Sequence, residues 1–268
     1  MDYVSYNREL LKDCQVPLDQ GFLYGYGLFE TINVVKEKPL FFDEHMTRLK
    51  NSAVTIGLKL EMSLDQLYTD CCKNIEINQI DRGALRITLS KGINTDNLLI
   101  TARENHYNRA LFAKGLKICT NNYVRNEKAL LVGIKSNNYL ENLLILNEAK
   151  SKGFNESIFH NTQGHLAEGC MTNIFFVKNN VVYTPAADCG LLAGIVRNKV
   201  IALLKQNGLA VETGYYPKEQ WREAEEVFIT NSLMEIMPVS QVDDHDYPVG
   251  EKTLTAQLDQ LYQKWYNQ

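Results

Sequence analysis

The run Gly27-Leu28-Phe29-Glu30-Thr31-Ile32-Asn33-Val34-Val35 alternates apolar and polar positions and is rich in β-formers, which predicts a strand. Residues 36–39 form a turn, and 40–42 resume extended structure. From Asp43, an N-cap candidate, Met46, Leu49 and Ala53 recur near helical spacing, which predicts a helix to Ile56 with Gly57 as its stop. A second helix is expected over 63–74, and strands over 84–90 and 98–102. Residues 111–124 read as a mixed strand and connector. Beyond them Ala129-Leu130-Leu131-Val132-Gly133-Ile134 is a continuous apolar run that ends at Lys135. Ser136-Asn137-Asn138 then start a helix over 139–152, closed by Gly153. Two apolar runs, 173–177 and 181–184, flank Asn179-Asn180 and predict a hairpin whose turn needs positive φ. Gly190 to Gly194 lead into a helix ending at Gly208, 226–230 is a strand, and 252–266 is a helix with leucines at 254, 258 and 261. Strands mixed with helices, without a regular βαβ repeat, indicate an α+β fold.

Length and charge narrow the function. A chain of 268 residues has room for two domains, and the break falls near the mixed segment, giving 1–115 and 116–268. The net charge of -4 and the lack of a Lys/Arg cluster argue against nucleic acid as a partner. No apolar run is long enough to span a membrane, and the first residues, MDYVSYNRELLKDCQ, lack the pattern of a secretory signal, so a cytoplasmic protein is expected. Cys14, Cys71, Cys72, Cys119, Cys170 and Cys189 form no CxxC pair and lie in no zinc-like spacing, which reads as reduced thiols without a metal.

Several residues carry possible chemistry, and each has a plainer reading. Lys135 stands where an apolar run meets a polar helix start; a lysine so placed loses solvation and offers a neutral amine, although a strand-edge surface lysine looks the same. Glu168, in a loop just before the hairpin, is either solvated or a carboxylate facing a ring nitrogen. Arg48 lies on a helix and either pairs with an acid or points its fork of donors at a phosphate. Gly190-Leu191-Leu192-Ala193-Gly194-Ile195-Val196 opens a helix whose free amides suit an anion, and Ser232 adds a hydroxyl or merely caps a turn. Gly21, Gly25 and Gly27 are not a dinucleotide loop, because a strand follows them rather than precedes them.

Taken together, DQGFLYGYGLFET (19–31), EHMTRL (44–49), IKSNNYLENLLILNEAKSKG (134–153), HLAEGCMTNIFFV (165–177), GLLAGIVR (190–197) and EVFITNSLMEIMPV (226–239) resemble the fold-type IV pyridoxal-phosphate enzymes. That family includes branched-chain aminotransferases, D-amino acid aminotransferases and aminodeoxychorismate lyases. The resemblance implies a homodimer with pyridoxal 5′-phosphate in the cleft between two domains, the larger C-terminal one carrying Lys135 as Schiff-base lysine and general acid/base. It implies Glu168 as partner of the pyridine nitrogen, and Arg48, the amides of Ile195 and Val196, and Ser232 as holders of the phosphate. Asn173 and Tyr139 match positions close to the cofactor. Tyr26, Cys170 and Val196 stand where many members carry Asp, Ser and Thr, and none of these changes removes a required group.

The family hosts both lyases and aminotransferases. Residues 229–239, ITNSLMEIMPV, are similar to the lyases, whereas branched-chain aminotransferases have small residues after the hydroxyl there, leaving room for an α-carboxylate. KSNNYLEN (135–142) also has the lyase spacing between Lys and Tyr. Where D-amino acid aminotransferases place a carboxylate-trapping Arg and His, this chain has Asp96 and Leu98, and Asp96 is expected to repel a carboxylate. The resemblance therefore implies conversion of 4-amino-4-deoxychorismate to 4-aminobenzoate and pyruvate, with an aminotransferase for D- or branched-chain amino acids as the alternative. A non-catalytic binding protein is disfavoured, since every cofactor group is present.

Overall fold

The computed structural model describes residues 3–12 and 17–266; Cys14 lies outside them. The other five cysteines are free thiols. The chain divides into two units, one of residues 1–106 with 134–139 and one of 107–133 with 140–268. The division falls at His106 rather than near 115, and the segment with Lys135 groups with the first unit rather than with the C-terminal one.

In the first unit the strands are β1 (Val4–Tyr6), β2 (Glu9–Leu11), β3 (Gly27–Val35), β4 (Lys38–Pro39), β5 (Arg82–Ser90) and β6 (Asn97–Glu104), in the sheet order β2-β1-β6-β5-β3-β4. The helices are α1 (Gln20–Tyr24), α2 (Phe42–Ile56) and α3 (Leu64–Ile77). Period two along β3 sends Leu28, Ile32 and Val34 into a core with Met46, Leu49 and Ala53 of α2 and Leu67, Cys71 and Ile75 of α3. Burial of such side chains contributes about 1.5–3 kcal/mol each. The α3 start follows its sequence signal: Ser63 and Gln66 form a reciprocal capping box. The α2 start does not. Residues 40–42 are not extended; Phe41, in the left-handed region at φ 54°, is the N-cap, and Asp43 lies inside the first turn, where its charge suits the helix dipole. Gly57 ends α2 in the left-handed conformation, as its place after the last periodic residue predicts.

The second unit holds α4 (Arg109–Lys114), β7 (Leu116–Arg125), α5 (Leu140–Ser151), β8 (Glu156–Asn161), β9 (Leu166–Gly169), β10 (Asn173–Lys178) and β11 (Val181–Pro185). After these come α6 (Ile195–Gln206), β12 (Ala210–Gly214), β13 (Glu226–Asn231), β14 (Glu235–Val242), β15 (His245–Asp246) and α7 (Leu254–Tyr266). The sheet runs β12-β11-β10-β13-β14-β7-β8-β9, with β15 on β14. Asn179 and Asn180, at φ 49° and 62°, make the β10–β11 turn as expected. Two expectations fail. Residues 129–134 form turns with Leu130 78% exposed, so no strand leads into Lys135. Glu168 is not in a loop: it sits in β9 and is buried. The Lys135 error has a physical cause. Apolar content alone cannot tell a buried strand from a segment whose leucines face outward.

Candidate active site

In the first unit the segment 134–139 returns to β3. The Phe29 amide donates to the Lys135 carbonyl at 2.9 Å, the Asn137 amide donates to Gly27 at 2.8 Å, and Ser136 bridges Leu28. Lys135 is thus placed by main-chain pairing rather than by a strand of its own. Its half-buried side chain lies with Nζ 4.4 Å from the Phe29 ring centroid and 5.4 Å from that of Tyr139, and the two rings meet edge-on. An ammonium over aromatic faces is attracted by their quadrupoles, which helps to hold the amine in one place. Gly27 lets this pairing approach closely, because a Cβ there would stand 3.0 Å from the Leu89 carbonyl oxygen and displace the Asn137 side chain.

Arg48 projects from α2 toward β3, where Glu30 interrupts the apolar row. Arg48 Nε and Nη2 bond the Glu30 oxygens at 2.8 and 2.6 Å, and His45 Nδ1 lies 2.7 Å from the same carboxylate. Burial alone would raise the Glu30 pKa, but the hydrogen bonds from Arg48 and His45 and the arginine charge together bring it down to about 2. Burial lowers the His45 pKa, outweighing the bond to Glu30, and the charges of Arg48 and Lys135 push the same way. Glu30 is therefore ionised and His45 neutral, and since a carboxylate only accepts, His45 Nδ1 carries the proton. Sequence reasoning missed Glu30 and His45. The readable signal was a carboxylate at an inward period-two position of β3, matched by His and Arg three residues apart on the facing helix.

In the second unit Glu168 Oε2 accepts from the Leu192 amide at 3.0 Å, and its Oε1 lies 3.8 Å from Arg125 Nη2. Asn173 Nδ2 donates to the Leu192 carbonyl at 2.9 Å, so β9, β10 and the loop before α6 meet at one residue. No side chain caps α6 after Gly194, which leaves the first-turn amides of Ile195 and Val196 without helical partners. Gly194 is needed there, because a Cβ would fall 2.1 Å from Asn173 Oδ1. Thr230, opposite Asn173 in the β10–β13 register, has a buried hydroxyl with no hydrogen-bond partner. A buried orphan hydroxyl and open helix amides are a donor set for an anion such as a phosphate ester. Ser232 lies half-buried in the turn after β13.

Asp96 does not act as expected. Its carboxylate accepts from the Lys59 amide at 2.7 Å and pairs with Lys91 Nζ at 2.9 Å, so its charge is balanced locally and does not act as a repulsive group. Among the described residues no cluster of metal ligands occurs, and no helix is long and apolar enough to cross a membrane.

Residues 27–242 match the family described as amino-transferase class IV. The chain is 30% identical to an aminodeoxychorismate lyase of Bacillus subtilis over 259 residues, covering 92% of this chain and 88% of that protein. It is 31% identical to a D-alanine aminotransferase of Listeria monocytogenes over 258 residues, covering 91% and 88%. A branched-chain amino acid aminotransferase of Escherichia coli superposes with a TM-score of 0.90 at 26% identity, covering 98% of this chain and 94% of that one. These matches span both units and carry lyase and aminotransferase names at equal distance. This chain belongs to the class IV aminotransferase family.

Proposed function

We propose that this chain is a pyridoxal-phosphate-dependent lyase that converts 4-amino-4-deoxychorismate to 4-aminobenzoate and pyruvate, a step of folate synthesis. The observation that carries the lyase reading is the turn after β13. Asn231 Oδ1 accepts from the amides of Leu233 and Met234 at 2.9 and 2.8 Å, while its Nδ2 donates to the Met171 carbonyl at 3.3 Å. Successive turn amides are ready donors for a carboxylate. Here a side chain of the protein has taken them, with Leu233 half-buried beside the turn and Met234 packed into the core. A small amino acid would lose the grip on its α-carboxylate that transamination needs. The similarity to the Bacillus subtilis lyase supports the same reading.

The residues fit the cofactor. Arg48, the Ile195 and Val196 amides and Ser232 would hold the phosphate, with the orphan Thr230 hydroxyl as a further donor. Glu168 would keep the ring nitrogen protonated, and Asn173 and Tyr139 would bound the ring. When bound, pyridoxal phosphate supplies a carbonyl for the substrate amine and an electron sink. Lys135 takes the proton from the substrate carbon that bears nitrogen and returns a proton when product leaves. Loss of pyruvate leaves an aromatic ring, which drives the reaction forward. The same reading carries a homodimer, and exposed Leu130, Leu140 and Leu144 on the second unit support a partner surface.

The test offers the cofactor-loaded protein 4-amino-4-deoxychorismate in one arm and D-alanine or leucine with 2-oxoglutarate in the other. Release of 4-aminobenzoate with little glutamate is expected, and Lys135→Ala should abolish it. Glutamate formation without 4-aminobenzoate would overturn the lyase reading in favour of an aminotransferase.

A further inference from the structure

The geometry assigns Glu30 and His45 as positioning residues that aim the Arg48 guanidinium at the cofactor phosphate. This inference rests on the proposed cofactor reading. It starts from three contacts that surround one buried carboxylate: Arg48 Nε at 2.8 Å, Arg48 Nη2 at 2.6 Å and His45 Nδ1 at 2.7 Å. Glu30 and His45 are each 1% exposed, while the Arg48 side chain is 14% exposed. The network is therefore sealed at the acid and histidine and reaches the surface at the arginine.

A guanidinium gripped through Nε and one Nη is held in plane, so the direction of the whole fork is fixed. A long side chain left to itself loses up to about 2 kcal/mol of rotamer entropy when it captures an anion. Here much of that ordering is already done by folding. His45 completes the arrangement, because its Nδ1–H takes a lone pair on Glu30 and keeps the carboxylate from rotating away from the arginine. Strand β3 supplies the acid and one turn of α2 supplies both partners, so the rigid core of the first unit sets the direction.

Charge makes a second point. Ionised Glu30 offsets the Arg48 charge and neutral His45 adds none, so the group as a whole is close to neutral. Its value to a phosphate lies in directed N–H donors rather than in bulk positive charge. A network built for charge alone would have left the arginine unpaired.

The experiment compares pyridoxal phosphate with phosphate-free pyridoxal on the full-length protein by absorbance titration of the bound aldehyde. Glu30→Gln should weaken pyridoxal phosphate binding by about tenfold, the scale of one misdirected charge-assisted bond, and leave pyridoxal binding unchanged. His45→Asn, the milder variant, should give a smaller loss of the same selectivity. In an Arg48→Ala background Glu30→Gln should add nothing, because its effect runs through the arginine. Equal losses for both ligands would mean a purely structural role and overturn the inference, as would an unchanged affinity for pyridoxal phosphate in both variants. Failure of the unmodified protein to take up pyridoxal phosphate would instead overturn the cofactor reading on which it rests.

Discussion

At the scale of single residues, buried carboxylates divide into those that gain and those that lose by ionising. Glu30 gains: its pKa falls from 4.5 to about 2, because two hydrogen-bonding partners and a cation outweigh burial. A depressed folded pKa means stability that is present above the unfolded value and lost as pH falls through the folded one. The window is therefore pH 4.5 down to about 2, with a contribution on the order of 3 kcal/mol. Unfolding free energy measured across that window should fall more steeply for the unmodified protein than for Glu30→Gln; parallel curves would refute the assignment. Glu156 shows the opposite balance, with burial pushing its pKa up despite four donors: the Ser157, Cys170 and Met171 amides and the Thr172 hydroxyl. At this scale the sequence was only partly legible. Lys135, Arg48 and Glu168 stood in quotable motifs, but the partners of Arg48 did not, because a carboxylate inside a β-rich run reads as one more polar position until a helix is seen to face it.

At the scale of elements, the junction between β9 and β10 shows how a short turn is held. Residues 170–172 place their donors around one Glu156 side chain rather than around each other. Glu156→Gln turns one acceptor into a donor facing amides, so at least one buried N–H loses its partner, and the cost should be about 1–3 kcal/mol. Thermal unfolding of that variant checks the expectation, and an unchanged midpoint would mean the turn is held otherwise. Most element types were readable, since β3, α2, α3, the β10–β11 hairpin and α6 announce themselves by period, cap or turn residue. The failures came where main-chain pairing with a distant segment decides the conformation. Residues 134–139 are fixed by β3, over a hundred positions earlier, and nothing local in an apolar run followed by Lys-Ser-Asn-Asn encodes that partner.

At the scale of the whole molecule, each unit has its own core. A ligand that binds only the folded chain adds stability set by its concentration relative to its Kd, about 2.7 kcal/mol at a hundredfold excess. Added pyridoxal phosphate should therefore raise the unfolding midpoint of the purified protein in a concentration-dependent way. Buffer without the cofactor should not, and a midpoint indifferent to the cofactor would count against the proposed site. At this scale composition and net charge argued against nucleic acid as a partner class. The proposed lyase reading was not legible there; it rests on the side chain of Asn231 folding back on its own turn.

The place of β7 in the larger sheet has a consequence for how the chain is made. Its two neighbours are both parallel, β8 on one side and β14 on the other, and β14 is separated from it by most of the second half of the sequence. All six strands of the first sheet, by contrast, have been synthesised by Glu104. The nascent chain can close that sheet early, while β7 waits with one edge unpaired until the last strands emerge. Non-local parallel pairing is slow and leaves an aggregation-prone edge. Yield on overexpression should therefore be limited by the second half of synthesis, and chaperones that shield strand edges should act on chains arrested after β7 but before β14.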